Sequence, residues 1–258
     1  RELVPFFRKW NWINKPIGQT EIDFTRTNFL SPWAITLFAS YILWLREVLH
    51  KNVRIKINTR SVSGGYLVRS GFCDLLGLSY EREVVDAHIL ERTTKLRRIS
   101  TSSEIPSFAK EVMNLLAIED EEIAGAVKYA LVELLRNVIQ HSKCTIGGLC
   151  MAQYYPDTGL VELVVADLGV GIKKTLHNKY PEIDDDIKAV KFAPQPHISG
   201  TFAPAAYSTM NENAGLGLFF IKEIVTLSGG GFFLGTGKAL VNIWGDNSGR
   251  QRKTYFQS

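Results

Sequence analysis

Apolar and polar positions in the first hundred residues change between strand and helix periodicity. A strand is predicted from Gln19 to Phe24, and another from Asn52 to Asn58, where polar and apolar residues alternate as in a half-buried strand. Between these stretches, apolar residues recur at helical spacing from Ile35 to Leu49. After a glycine turn, a second helix is predicted over Tyr66 to Leu76, and another strand over Lys95 to Ser100. A β-α-β-α order predicts parallel strands with helices packed on the sheet.

The first of these helices lies in an uncharged stretch, Thr27 to Leu45, that approaches the length of a membrane span. Ser31 followed by Pro32 predicts a helix N-cap and a proline at the first helical position. The uncharged part of the helix is then too short to cross hydrocarbon, so we expect a buried core helix and no membrane association. No signal peptide is indicated after Arg1.

The second half of the chain begins with a long helix whose first turn is acidic, at Asp120 to Glu122. Its buried stripe is predicted to run from Ile123 to Val138. Further elements are two strands joined by a proline-glycine turn, a helix that ends at a glycine run, and two closing strands: 149–155, 160–166, 216–227, 232–234 and 240–244. The last residues, Tyr255 to Ser258, resemble part of a protease-cleavage linker, and we expect residues 249–258 to be a tail outside the fold.

Composition narrows the class of protein. Of 258 residues, 45% are hydrophobic and 22% charged, with a net charge of +4, which is ordinary for a globular protein and too weakly basic to indicate nucleic-acid binding. The cysteines, Cys73, Cys144 and Cys150, are too few for a disulfide framework and favour a reducing cytoplasm.

The long helix carries polar residues beside its apolar stripe. Glu133, Asn137 and His141 are four positions apart, so they share one helix face. A carboxylate and a carboxamide one turn apart can orient a water and complete a Mg²⁺ shell, both of which phosphoryl transfer needs. Taken alone, the same pattern also suits a solvated polar face.

Two glycine-bearing segments follow. Asp167, Gly169 and Gly171 come directly after a strand, where a carboxylate can accept an amino group such as that of adenine and glycines allow backbone to approach a flat ring. The stretch Asn213 to Leu218 opens a helix, where free N–H groups can face phosphate oxygens. Either segment alone is also compatible with an ordinary loop.

The order of these three motifs resembles the GHKL ATP-binding family, which includes DNA gyrase, chaperone ATPases and sensor histidine kinases. The resemblance runs from about Ser103 to Trp244. It implies that Glu133 is the general base and Asn137 the Mg²⁺ ligand, while Asp167 accepts the adenine amino hydrogen. It further makes His141 a support for the loop that follows that residue. The residues that it places around the nucleotide are glycines and their neighbours: Gly169, Gly171, Gly215, Leu216, Gly217 and Leu218.

The family pattern is not matched everywhere. Asn213 stands where the phosphate motif has glycine, and the position of a threonine that contacts adenine in many members is ambiguous. The resemblance makes the stretch from Leu176 to Asn213 a lid over ATP. His88 resembles a phosphoacceptor site only loosely, and His50, His177 and His197 have no such resemblance, so an autophosphorylating histidine kinase is not expected.

The N-terminal segment resembles the STAS fold of anti-sigma-factor antagonists. Ser31 lies near the residue that some relatives phosphorylate, although Leu30 replaces their aspartate, and we expect it to be an N-cap. The predicted α/β architecture is a STAS-like domain over 1–100, a GHKL sandwich over 101–248 with a mixed sheet and helices on one face, and a tail over 249–258.

The resemblance implies a cytoplasmic protein that binds ATP or ADP with Mg²⁺. One interpretation is a regulatory ATPase whose lid switches a contact with an unidentified protein partner. The alternatives are an anti-sigma-type serine/threonine protein kinase and a non-catalytic interaction protein. A homodimer is left open.

Overall fold

The computed structural model describes residues 20–80, 92–141, 146–200, 215–246 and 248–257. These residues form two compact units, which are treated separately below. The first unit comprises the described parts of 20–124 and 135–169, and the second comprises those of 125–134 and 170–257.

The first unit begins with a parallel strand pair and the predicted core helix. Strand β1 (Thr20–Asp23) pairs in parallel with β2 (Val53–Lys56), which confirms the predicted pairing. Helix α1 (Pro32–Leu43) runs on into a π-helical turn at Trp44–Val48. Ser31 occupies the N-cap position with extended backbone, but its side chain makes no capping hydrogen bond. Proline at the first helical position therefore marks the helix start without help from the serine hydroxyl.

The second predicted helix is two helices. Helix α2 (Val62–Arg69) begins inside the stretch predicted as a turn, because the Ser61 side chain caps it by accepting a hydrogen bond from Gly64 N at 3.1 Å. Helix α3 (Phe72–Leu75) follows after Gly71, whose φ of 82° ends the first helix.

The central sheet of the first unit is antiparallel, in the order β3-β4-β5. Its strands are β3 (Arg97–Ile99), β4 (Gly148–Tyr155) and β5 (Leu160–Asp167). Helix α1 packs on β4 and β5, and Trp33 N donates a hydrogen bond to Glu162 Oε1 at 3.2 Å. The boundary near residue 100 stays a prediction, although α1 and β3, which precede it, belong to the same compact unit as β4 and β5.

Two further helices connect β3 to β4. Thr101 and Glu104 form a capping box that starts a 3₁₀ turn (Ser102–Glu104), and helix α4 (Ile105–Leu116) follows directly. Helix α5 (Glu121–His141) is the predicted long helix.

The second unit contains an antiparallel sheet in the order β6-β7-β8, and its described residues include helices α6 to α8 as well as part of α5. The strands are β6 (Gly231–Thr236), β7 (Ala239–Gly245) and β8 (Gln251–Gln257); the helices are α6 (Gly171–His177), α7 (Asp186–Phe192) and α8 (Gly217–Leu227). Apolar residues of α7 and α8 pack against β6 and β7. Residues 249–258 were expected to form a tail outside the fold. This expectation is wrong for Gln251–Gln257, because the backbone of these residues pairs with β7 as the edge strand β8.

Both three-stranded sheets are antiparallel, so the described strands do not form the mixed sheet that the resemblance implied; the parallel pair β1-β2 is a sheet of its own. Within the described ranges, no helix combines the length and apolarity that a membrane crossing requires. Cys73 and Cys150 are buried free thiols whose pKa burial raises, while Cys144 lies outside the described residues.

Candidate functional site

Helix α5 presents two of the predicted site residues on one face. Its start is fixed by Asp120, whose Oδ1 accepts a hydrogen bond from Ile123 N at 2.9 Å. Glu133 and Asn137 are partly buried, beside fully buried neighbours of the apolar stripe such as Leu131 and Leu135. The stripe begins later than predicted, because Ile123 is 55% exposed. His141 is the last helical residue, and the role predicted for its side chain lies outside what the structure describes.

Asp167 ends β5, and its side chain organises the turn that follows. Gly169 N donates a hydrogen bond to Asp167 Oδ1 at 2.7 Å. The residue keeps solvent-accessible surface, yet the protein around it desolvates the carboxylate and raises its pKa, which the Gly169 hydrogen bond partly opposes. Among the described residues, Oδ2 accepts no hydrogen bond and is the oxygen free to meet a ligand.

A close approach within the first unit brings α5 next to this strand end. Gly148 is the cross-strand partner of Asp167. A Cβ added to Gly148 would lie 2.3 Å from Val138 Cγ1, so α5 reaches β4 here only because residue 148 has no side chain. The helical turn that carries Asn137 is therefore adjacent to the strand end that carries Asp167.

In the second unit, Gly171 meets a threonine that the sequence prediction left out. Gly171 starts α6 with a φ of 78°, and the next amide, Ile172 N, donates to Thr236 Oγ1 at 3.0 Å. An added Cβ at Gly171 would lie 3.1 Å from the same hydroxyl oxygen. Thr236 is buried at the end of β6, and its O–H remains able to donate to a second group. The glycines on either side of Thr236, Gly235 and Gly237, indicate a turn in the sequence. The sequence alone does not show that this turn contacts the start of α6.

Gly215 and Gly217 shape the start of α8. Gly215 has a φ of 91°, and a Cβ there would lie 2.6 to 2.8 Å from backbone atoms of Ile198, so only glycine fits. Gly217 is the buried first helical residue and Leu216 is the N-cap. Leu218 packs against the apolar clusters around α6 and α7. The first N–H groups of α8 lack intrahelical partners and lie at the positive end of its dipole, as anion-binding groups do. Asn213 lies outside the described residues.

Comparison with known families gives these motifs a common setting. A family model described as the histidine kinase-like ATPase domain matches residues 99–227, half of the 258-residue chain. The chain belongs to the histidine kinase-like ATPase family. The ATPase resemblance is thereby confirmed at the level of the family, and all three motifs lie within the matched region. No curated protein and no solved structure matches the chain. The STAS resemblance of residues 1–100 gains no support from these comparisons and stays a prediction.

The donor set of the ATPase domain suits magnesium bound through nucleotide. The described residues contain no group of three or more His, Cys, Asp or Glu side chains that could hold a metal. Mg²⁺ in nucleotide sites usually keeps several waters and is shared between few protein oxygens and the phosphates. The partly exposed Asn137 amide fits the place of one such oxygen ligand.

Three of the four histidines considered as phosphoacceptors lie in the described residues. His177 Nδ1 lies 3.0 Å from Ile183 O, a contact that holds the loop after α6. His50 and His197 have positive φ angles of 50° and 63° and occupy loops. His88 lies outside the described residues.

Proposed function

We propose that the ATPase domain binds Mg-ATP and hydrolyses it slowly, and that the nucleotide state switches a contact with another protein. The observation that carries the proposal is the family match over the region that holds Glu133, Asn137 and Asp167. Support comes also from two local observations: Glu133 and Asn137 share one face of α5, and Asp167 Oδ2 accepts no hydrogen bond among the described residues.

Glu133 is proposed as the general base. It lies one helical turn before Asn137, so a water held near the magnesium of Asn137 would also be within reach of the carboxylate. Deprotonation of that water by Glu133 would accompany its attack on the γ-phosphorus, with ADP as the leaving group and inorganic phosphate as product.

Base recognition is proposed for Asp167. Its Oδ2 would accept a hydrogen bond from the adenine amino group, while Oδ1 stays bound to Gly169 N. Thr236, whose hydroxyl oxygen is occupied by Ile172 N, would donate its proton toward a ring nitrogen.

Phosphate binding is proposed for the start of α8. Gly215, Gly217 and the amides of Leu216 and Leu218 would contact the phosphates, aided by the helix dipole. Within the stretch 176–213 that was expected to be a lid, α7 packs in the core of the second unit. We therefore confine the proposed lid to the residues after α7, whose closed form would be the state that the partner distinguishes.

A serine/threonine kinase would use the same residues, with Glu133 accepting the proton of a protein hydroxyl instead of water. The two functions differ in the destination of the γ-phosphate. Phosphate released with no added partner supports hydrolysis, and label transferred to a protein serine supports the kinase.

The deciding experiment measures ATP binding and turnover on the same samples. We expect the full chain to bind ADP and ATP in the presence of Mg²⁺ by calorimetry and to release phosphate from ATP. Glu133→Ala should bind ATP with at most a few-fold change but lose turnover by about 10²-fold or more. Glu121→Ala, at the far end of the same helix, is the matched control and should turn over normally. Absence of heat with either nucleotide from folded protein would refute the proposal, and an unchanged rate in Glu133→Ala would refute the base.

A further inference from the structure

A cavity lies within the first unit, and the described residues that line it are not part of the ATPase motifs. It has a volume of about 260 Å³. An engineered apolar cavity of about 150 Å³ is sufficient to take up benzene, so this one has room for an aromatic ring with a polar substituent. One wall is helix α2, the second is the end of β4, and the third is the loop before α1.

The α2 wall is a regular stripe of side chains. Val62, Tyr66 and Arg69 are spaced by four and three residues, which places them on one face of the helix. Tyr66 Oη donates a hydrogen bond to Gln153 Oε1 on the β4 wall, and burial raises the Tyr66 pKa, so the phenol stays neutral. The helix and the strand therefore form one rigid wall.

Arg69 is the unusual group of this wall. Its Nε is buried and has no hydrogen-bond partner among the described residues. Glu162 on β5, whose charge also acts on Tyr66, makes no ion pair with Arg69, and its carboxylate oxygens accept hydrogen bonds from Trp33 N and Tyr155 Oη. A partly buried guanidinium with no ion pair among the described residues is costly, and an anion bound in the cavity beside Arg69 would lower that cost.

The other residues that line the cavity indicate what kind of anionic molecule it would bind. Arg92 adds a second positive charge, and the described lining residues include no carboxylate. Apolar surface surrounds the polar groups, and two of its members are well exposed, Phe29 at 67% and Val62 at 84%. We propose that this pocket binds a small, flat, apolar acid whose carboxylate or phosphate is held by Arg69 and Arg92.

The test uses three fluorinated probes that differ only in the polar group. They are 4-fluorobenzoate, 4-fluorophenyl phosphate and the neutral 4-fluorobenzamide, each followed by ¹⁹F line broadening on the full chain. We expect saturable binding of at least one anion below about 10 mM, and binding of the amide at least about 10-fold weaker, since hydrogen bonds to charged groups exceed neutral ones. The first two probes distinguish a carboxylate ligand from a phosphate ligand.

Variants assign the binding to this pocket. Arg69→Met keeps the length of the side chain but removes the guanidinium, and it should weaken anion binding at least about 10-fold. Arg54→Met is the control, because Arg54 lies on β2 in an exposed ion pair with Glu21 and should leave binding unchanged. Arg69→Met should also unfold at the same or a higher temperature, since it removes a buried donor that has no partner.

Two kinds of result would overturn the proposal. One is the absence of saturable binding of both anions, or equal binding of the benzamide. The other is unchanged anion affinity in Arg69→Met. If that variant does not fold, Arg92→Met, whose side chain is exposed, provides the same comparison.

Discussion

Replacing Gly215 with alanine tests the close approach that shapes the start of α8. The new Cβ would lie 2.6 Å from Ile198 O, 2.7 Å from its carbonyl carbon and 2.8 Å from its N, all of them backbone atoms that cannot rotate away. The residue would also have to keep a φ of 91°, which costs an L-residue about 1–2 kcal/mol. Overpacking adds about 1–3 kcal/mol, so we expect a loss of about 2–5 kcal/mol.

Thermal unfolding measures this loss. At about 2–4 °C per kcal/mol for a chain of this size, Gly215→Ala should lower the Tm by about 5–20 °C. Gly249→Ala is the matched control in the same unit, because Gly249 has a φ of 77° but no atom within 4 Å of its added Cβ. It should show only the backbone part, a few degrees. Equal Tm values for the two variants would mean that the Gly215–Ile198 contact does not constrain the fold.

Three further substitutions or deletions test the site and its support. In Asp167→Asn the side chain still accepts the Gly169 N–H but carries no charge that burial would desolvate, so at neutral pH the variant should be at least as stable as the parent protein. Calorimetry should show that it binds ADP about 10-fold or more weakly. Because the Asp167 pKa is raised in the fold, its ionisation costs stability as pH rises through that pKa, and the stability advantage of Asn should disappear in acid melts. Thr236→Val leaves Ile172 N without its acceptor and should cost about 1–3 kcal/mol in denaturant unfolding. A fragment of residues 101–258 should be poorly folded by circular dichroism, because it lacks α1 and β3; a cooperative melt from it would support the predicted boundary at residue 100.

Local elements of the fold could be predicted because their signals are local. Pro32 after Ser31 marks the start of α1, and the acidic residues of Glu121–Glu122 mark that of α5. The split between α2 and α3 could not be predicted from periodicity, because it depends on the conformation of Gly71. Similarly, the linker resemblance of Tyr255 to Ser258 predicted a tail, but pairing with β7 makes Gln251–Gln257 a strand.

The candidate site shows the same difference between residues with local sequence signals and residues that depend on long-range contacts. Motif spacing was sufficient to single out Glu133, Asn137 and Asp167, because each is defined by its own helix turn or strand end. Thr236 was missed, since its relevance depends on a hydrogen bond to an amide 64 positions earlier in the chain. A hydrogen bond between residues so far apart in the chain does not affect the apolar–polar periodicity of either segment.

The N-terminal residues show why a domain boundary is harder to predict than a helix. The β-α-β-α order of the first hundred residues is complete in itself and suggests an independent domain. Yet the apolar face of α1, which includes Ile35 and Ile42, is buried in a unit whose sheet is built mainly by β4 and β5. Each such side chain contributes about 1.5–3 kcal/mol when fully buried, so the helix and the sheet stabilise each other. Tyr66 and Thr94 add hydrogen bonds to β4. Folding of the N-terminal residues is thereby coupled to strands that belong to the ATPase domain.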